Sequence, residues 1–229
     1  MRKPHIGPAP AAAPARRGDR RAKILAAARA LFIQQKNTRA TMADIAARIG
    51  VAEGTLYLYF DSKNALVAAV AAEWFEHIVT ATEREARAIK DPLDLMRFLV
   101  QRHLDVIVGH KDMYLTLMRE VRAGDEYRTS PVREANRRYT GLLLALLQKL
   151  AAEGRLADGL DARTMRDLVY GGVEHVAWTA LLGDAGGFDT ARKADEIATS
   201  FVRMLGLTPT TRDDIERRLE RIEAKLRLD

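Results

Sequence analysis

Nearly every segment from Asp19 onward places apolar residues three and four apart, and each such run is bounded by its own start and stop signals. That is the period of an α-helix, and no convincing strand pattern competes with it. The first helix is expected over about Arg20 to Gln35, with Ile24, Ala28, Leu31 and Phe32 facing inward. Thr41 and Asp44 form a capping pair that opens a short second helix, and Gly50 ends it. A third short helix spans about Ala52 to Leu58. Asp61 then caps a long fourth helix reaching about Ile89. Asp91-Pro92 opens a helix ending near Gly109, and another follows to about Arg122. Ser130-Pro131 opens one ending at Gly154, Asp161 one ending at Gly183, and Asp189 one ending at Gly206. Thr211 with Asp214 opens a last helix. The pattern predicts an all-α fold of about ten helices.

Composition agrees and removes several function classes. The chain has 229 residues, 48% of them hydrophobic and only 6% aromatic, which favours helices over a sandwich or barrel. It has no cysteine, which excludes a disulfide scaffold, a thiolate zinc site, an iron–sulfur cluster and a cysteine nucleophile. Residues 1–64 hold 12 Lys/Arg against 4 Asp/Glu, whereas residues 65–229 hold 25 against 27. A basic first quarter on a near-neutral body points to an anionic partner met by one end. Residues 1–15 carry four of the seven prolines and no acid, and read as a disordered arm. No long apolar core follows the positive start, so no signal peptide is expected. No stretch reaches the roughly 20 apolar residues of a spanning helix, so no membrane partner is expected.

Residues 41–60 carry the functional signal. Two short helices meet at Gly50, with small Ala46 where they would cross and Ile45, Ile49, Val51 and Leu56 between them. This is the arithmetic of a helix-turn-helix, whose second helix enters the major groove of DNA. An ordinary αα-hairpin would not need the polar and aromatic outer face that Glu53, Thr55, Tyr57 and Tyr59 provide beside Lys63.

The run from Arg21 to Leu66 resembles the DNA-binding domain of the tetracycline-repressor (TetR) family. The matching pieces are Ile24-Leu25-Ala26-Ala27-Ala28 with Leu31-Phe32, Thr41 with Asp44-Ile45-Ala46, and Gly50-Val51. Gly54-Thr55-Leu56-Tyr57, Tyr59-Phe60 and Ser62-Lys63-Asn64-Ala65-Leu66 complete the match. The resemblance implies an Ω-shaped homodimer with two DNA-binding heads and a helical core that holds a small ligand. It divides the chain into the arm (1–15), a helix-turn-helix domain (16–66, motif about 40–60), a ligand-binding and dimerisation domain (67–207) and a C-terminal amphipathic helix (208–229). By position it assigns Thr41, Thr55, Tyr59 and Lys63 to the DNA backbone and Tyr57 to a phosphate or base edge. Ala52 and Glu53 fall where base readout varies, and a glutamate accepts from a cytosine amine. Ala43 departs from relatives that carry a longer base-reading side chain there. Arg16, Arg17, Arg20 and Arg21, just before and at the start of the expected first helix, would reach phosphates or the minor groove.

For the body, the resemblance assigns dimerisation to the helices over about 162–182 and 190–205. Met165, Leu168, Val169 and Gly172, continuing through Val173, Val176, Ala180 and Leu181, form the broad apolar stripe expected to meet the partner. The ligand is expected among polar groups on otherwise apolar faces. His103 and Tyr139 come first, then Trp74, His77, Ile78, Met118, Asn136, His175 and Trp178. The segment Gly171–Trp178, with Gly183, Phe188-Asp189 and the closing Leu205-Gly206-Leu207, resembles relatives that sense fatty acyl thioesters. In the last helix Ile215, Leu219, Ile222 and Leu226 form a short coiled-coil-like seam.

Two other classes share the basic end. A DNA-acting enzyme such as a recombinase needs a carboxylate cluster or an activated nucleophile. The five histidines lack metal-ligand spacing and there is no Gly-rich phosphate loop. An architectural or membrane-surface module would need no ligand. The reading that joins all the features is a cytoplasmic, dimeric, non-enzymatic transcriptional regulator. It would be a repressor on a palindromic operator, released by a small apolar effector, without cofactor or metal.

Overall fold

The structure is a computed structural model that describes residues 14–35, 40–157, 159–183 and 188–206. Among them every regular element is helical: α1 (Pro14–Gln35), α2 (Met42–Arg48), α3 (Glu53–Tyr57), α4 (Lys63–Ala86), α5 (Pro92–Gly109), α6 (Lys111–Thr116), α7 (Pro131–Ala152), α8 (Ala162–Leu182) and α9 (Thr190–Met204). A π-helical turn (Leu117–Arg122) and a 3-10 turn (Asp125–Thr129) separate α6 from α7. The expected helix beyond Thr211, with Ile215, Leu219, Ile222 and Leu226, lies outside the described residues.

The chain forms two compact units. Of the described residues, one comprises those up to Phe75 with Leu115–Val132, and the other Glu76–Tyr114 with those from Arg133 on. In the first, Ile24 and Ala28 of α1, Ile45 of α2 and Leu56 of α3 are completely buried, with Phe32, Ala46 and Phe60 nearly so. In the second, α5 packs against both α8 and α9. Its core is Met96, Leu99, Leu104 and Ile107 of α5, Leu143, Leu147 and Leu150 of α7, Val173 and Ala177 of α8, and Ala198 of α9.

The capping logic holds at most starts. Asp91 accepts from the amides of Leu93 (2.8 Å) and Asp94 (3.0 Å), Asp161 from Thr164 (2.8 Å), and Asp189 from Arg192 (3.0 Å). Four sequence expectations are corrected. Helix α1 begins at Pro14 instead of Arg20, because proline suits a first turn and alanine and arginine extend it. The residue that caps α4 is Ser62 and not Asp61: its hydroxyl accepts from the Ala65 amide at 3.1 Å. Helix α4 stops at Ala86, and the chain to Ile89 tightens into i→i+3 bonds, Glu85 O to Ala88 N and Ala86 O to Ile89 N. The helix expected to run to Arg122 is α6 followed by the π turn. Met113, Leu117 and Val121 are buried four apart. A spacing of four overshoots an α-helical turn and undershoots a π turn, so joining the two keeps all three inward.

By length and composition alone α4 is long and apolar enough to cross a membrane. This corrects the expectation that no segment reaches that measure. In the fold α4 buries Val70, Ala71, Phe75, Val79 and Ala86, as a core helix does.

Across α4 and α7, Arg138 donates to Glu83 (3.0 and 2.8 Å) and to Glu76 (2.6 Å). The hydrogen bonds from Arg138 hold the Glu83 carboxyl below its usual value of 4.5. A depressed carboxylate contributes stability that is complete above its unfolded value and is lost as pH falls through its folded one. Arg138→Met is therefore expected to cost about 1 kcal/mol near neutral pH, allowing for solvent screening of a partly exposed pair. Denaturant titrations should show that deficit shrinking as pH is taken below 4.5.

Candidate nucleic-acid interface and a buried polar cluster

The turn between α2 and α3 is built by hydrogen bonds that end one helix and aim the next. Val51 N–H reaches Ala46 O (3.1 Å) and Gly50 N–H reaches Ala47 O (3.2 Å), the paired bonds of a Schellman closure. Gly50 sits at φ +66°, a left-handed conformation that a side chain would strain. Helix α3 has only five residues and no side-chain cap at Ala52, so its place depends on tertiary contacts. Leu56 supplies the anchor by pointing wholly into the core. That leaves Ala52, Glu53, Gly54, Tyr57 and Leu58 outward, with Tyr57 47% and Leu58 70% exposed. The Tyr57 hydroxyl lies 3.5 Å from Glu53 Oε1, one helical turn away. Thr55, Tyr59 and Lys63 are half-buried around this face.

Arg16, Arg17, Arg20 and Arg21 all lie inside α1, which begins at Pro14. Arg17 donates to the Leu58 carbonyl (3.4 Å) and lies 5.9 Å above the Tyr59 ring; Arg21 lies 5.0 Å above the Phe60 ring. Arg20 is exposed, and the side chain of Arg16 lies outside the described part. Two of the four are thus tied to the end of α3 and the turn after it, not free on an arm.

Thr41 forms the capping box with Asp44 that the sequence predicts. Its hydroxyl accepts from the Asp44 amide (3.1 Å) and donates to Asp44 Oδ2 (2.8 Å), and its own amide donates to the same oxygen (2.8 Å). These bonds, with a smaller effect of nearby Lys63, hold the Asp44 carboxyl below its usual value. The Thr41 hydrogens that were expected to face an anion are committed to a carboxylate, so a phosphate here must compete with Asp44.

In the second unit the structure gathers only part of the expected ligand set. His103 of α5 and Tyr139 of α7 are buried together, with His103 Nδ1 3.5 Å from the Tyr139 hydroxyl. Tyr170 of α8 stands edge-on to His103 (centroids 4.8 Å apart) and its hydroxyl lies 3.5 Å from the Tyr139 carbonyl. Burial pushes both phenols well above their usual value, so both remain neutral hydroxyls. Glu174 Oε1 lies 3.8 Å from His103 Nε2. Asn136 and Ile78 are half-buried. His77, His175 and Trp178 face outward, while Trp74 and Met118 belong to the first unit.

Sequence reasoning missed Leu58, Tyr170 and Glu174. Tyr170 is hidden in a stripe that reads as intermolecular, and Glu174 reads only as an interruption of an apolar run.

The α8 stripe is corrected in the same way. Met165, Val169, Val173, Ala180 and Leu181 are buried within their own chain, Val176 is half-buried, and Gly172 faces the Phe201 ring of α9, which a Cβ at that position would meet at 3.5 Å. The exposed line is offset by a fraction of a turn: Leu168, Gly171, His175, Trp178 and Leu182.

Residues 24–70 match the model for bacterial regulatory proteins of the tetR family, and residues 90–206 match the tetracyclin repressor-like C-terminal domain. The chain belongs to the TetR family. It is 30% identical over 209 residues to the HTH-type transcriptional regulator TtgR of Pseudomonas putida, covering 84% of this chain and 94% of the relative. It is 21% identical over 162 residues to the fatty acid metabolism regulator protein of Bacillus subtilis, covering 71% and 84%. The crystal structure of FadR from Bacillus subtilis in complex with stearoyl-CoA has the same fold, with TM-score 0.66, 21% identity, and 79% and 97% of the two chains covered. As a TetR-family member the protein is a ligand-responsive, DNA-binding transcriptional regulator that works on operator DNA as a dimer.

Because α3 is held by one buried side chain, Leu56→Ala should cost about 2–5 kcal/mol of stability. Denaturant unfolding measures the loss. DNA affinity should fall in the same variant even below its melting temperature, since α3 loses its seat.

Proposed function

We propose that the protein is a repressor that occupies a palindromic operator as a homodimer and is released by a small apolar effector. The observation that carries the reading is the outward face of α3, where Glu53, Tyr57 and Leu58 are exposed around fully buried Leu56. A short helix presented edge-out by a helix-turn-helix fits a major groove. Thr55, Tyr59 and Lys63 flank it as backbone contacts, while Ala52 and Glu53 read bases and Tyr57 reaches a phosphate or base edge. Thr41 joins them once a phosphate displaces Asp44. Leu58 adds an apolar tip suited to a thymine methyl group. Arg17, Arg20 and Arg21 line the adjoining helix, with Arg16 next to them in the chain. The likeness to a fatty acid metabolism regulator, and to a protein solved with stearoyl-CoA, supports an acyl chain as the apolar part of the effector. A fatty acyl thioester is the class this suggests. No catalysis, cofactor or metal enters the scheme, and it operates in the cytoplasm where the chromosome is.

Repression needs only occupancy, and release needs an effector that binds the DNA-incompetent state better than the competent one. His103 and Tyr139, with the less buried Asn136 and Ile78, are the residues that would meet it. Helix α4 starts at the DNA-contacting Lys63 and ends in the second unit at Ala86. It is the element through which occupancy of the effector site would reach α3.

Tyr57→Ala should weaken operator binding about tenfold or more while leaving the thermal midpoint unchanged. Fluorescence anisotropy at matched salt tests this, and full retention of affinity would contradict the reading. The log of affinity should also fall with log salt at about 0.9 per phosphate contacted.

The exposed line on α8 is the surface proposed to meet the second copy. Trp178 is 43% and Leu182 81% exposed in the single chain. A charge at the centre of such a patch disfavours association. Trp178→Glu should shift the protein to monomer in analytical ultracentrifugation without unfolding it.

A further inference from the structure

The outward face of α3 has a composition that limits what it can read in a groove. Its exposed positions are Ala52, Glu53, Gly54, Tyr57 and Leu58, so it presents one carboxylate and no Lys, Arg, Asn or Gln. Those four side chains are the ones that read purines in the major groove, Arg and Lys on guanine O6 and N7, Asn and Gln on adenine N6 and N7. Arg17 and Arg21 are engaged at the other end of the helix. Arg17 donates to the Leu58 carbonyl and lies over the Tyr59 ring, and Arg21 lies over the Phe60 ring. What α3 offers is an acceptor at Glu53 and an apolar end at Leu58, whose side is 70% exposed. The Tyr57 hydroxyl lies 3.5 Å from Glu53 Oε1, so the phenol and the carboxylate form one patch.

Two base edges complement those two groups. A carboxylate opposes the acceptors O6 and N7 of guanine and O4 of thymine, and adenine sets its amine beside the acceptor N7. Cytosine sets its amine beside a C–H, so it gives Glu53 a donor with no opposed acceptor next to it. A carboxylate taken out of water without a donor is costly, so Glu53 also rejects the other edges. The apolar match to Leu58 is the C5 methyl group of thymine. Leu58 keeps a right-handed helical backbone (φ −74°, ψ −12°), so its offset from Glu53 follows the helical rise. Five residues span about 7.5 Å, roughly two base steps.

We propose that α3 reads pyrimidines in each operator half-site: Glu53 accepts from a cytosine amine, Leu58 covers the methyl group of a thymine within about two base steps on the same strand, and this helix reads no guanine edge. The inference rests on the reading of α3 as the major-groove helix, and it adds which bases the helix selects. Glu53 selects by exclusion, because in the groove its charge is opposed by base acceptors and phosphates unless the amine is there. Leu58 selects by contact, because the gain comes from burying a methyl group.

The test uses the full chain and a pool of randomised DNA duplexes, with bound DNA sequenced for the unaltered protein, Glu53→Ala and Leu58→Ala. Both residues are exposed, and matching thermal midpoints establish that the variants fold. The expected half-site carries C and T on one strand within about two base steps. Glu53→Ala should lose the preference for C, gaining about tenfold on duplexes with another base pair there. Leu58→Ala should lose the preference for T. In the selected operator, deoxyuridine in place of that thymidine removes only the methyl group. It should weaken the unaltered protein about fourfold and leave Leu58→Ala unmoved. A 7-deazaguanine opposite the cytosine removes only guanine N7 and should leave affinity unchanged. A half-site without the C and T, a loss of affinity with 7-deazaguanine, or the same base preferences in all three proteins would overturn the proposal. If Tyr57→Ala is impaired in operator binding, such a failure lies with the base assignment alone. If Tyr57→Ala binds fully, it lies with the placement of α3 in the groove.

Discussion

The outward face of α3 depends on burying a single side chain, Leu56. A five-residue helix is far below the length at which helices hold themselves together in water, so α3 exists because the fold holds it. Leu56 and Ile45 are fully buried on either side of the turn, and Ala46 is small enough for α2 and α3 to approach. The left-handed Gly50 then sets the direction of the chain into α3. Each outward residue of α3 is outward because Leu56 is inward.

The same economy recurs on α8, which has three kinds of neighbour. Val169, Val173 and Ala177 fill the core, Gly172 receives the Phe201 ring of α9, and Trp178 and Leu182 stay exposed. Tyr170 and Glu174 then fall toward His103. A helix of this length has enough circumference for core, neighbour and open surface at once. A stripe that looked uniformly apolar in sequence is divided among these roles by rotation about the helix axis.

Thr41 illustrates how a motif residue can be occupied twice. The capping bonds to Asp44 stabilise the start of α2, yet they use the hydrogens that a phosphate would want. On the reading proposed above, a phosphate at that point would take the place of Asp44, and Lys63 beside Asp44 would be the cation common to both anions.

Much was legible in the sequence because it is local. Helix periods, the caps at Asp91, Asp161 and Asp189, the Thr41–Asp44 box and the Gly50 turn are set by residues within four or five positions of each other. The helix-turn-helix and its family could be read for the same reason. What could not be read depends on long-range packing. The offset of the α8 stripe is set mainly by α5, which lies far from it in the chain. The meeting of His103, Tyr139, Tyr170 and Glu174 joins three helices whose relative rotation no local pattern encodes. Local hydrogen bonding determined where helices start and stop, and tertiary burial decided which side of each helix remained for DNA, effector or partner.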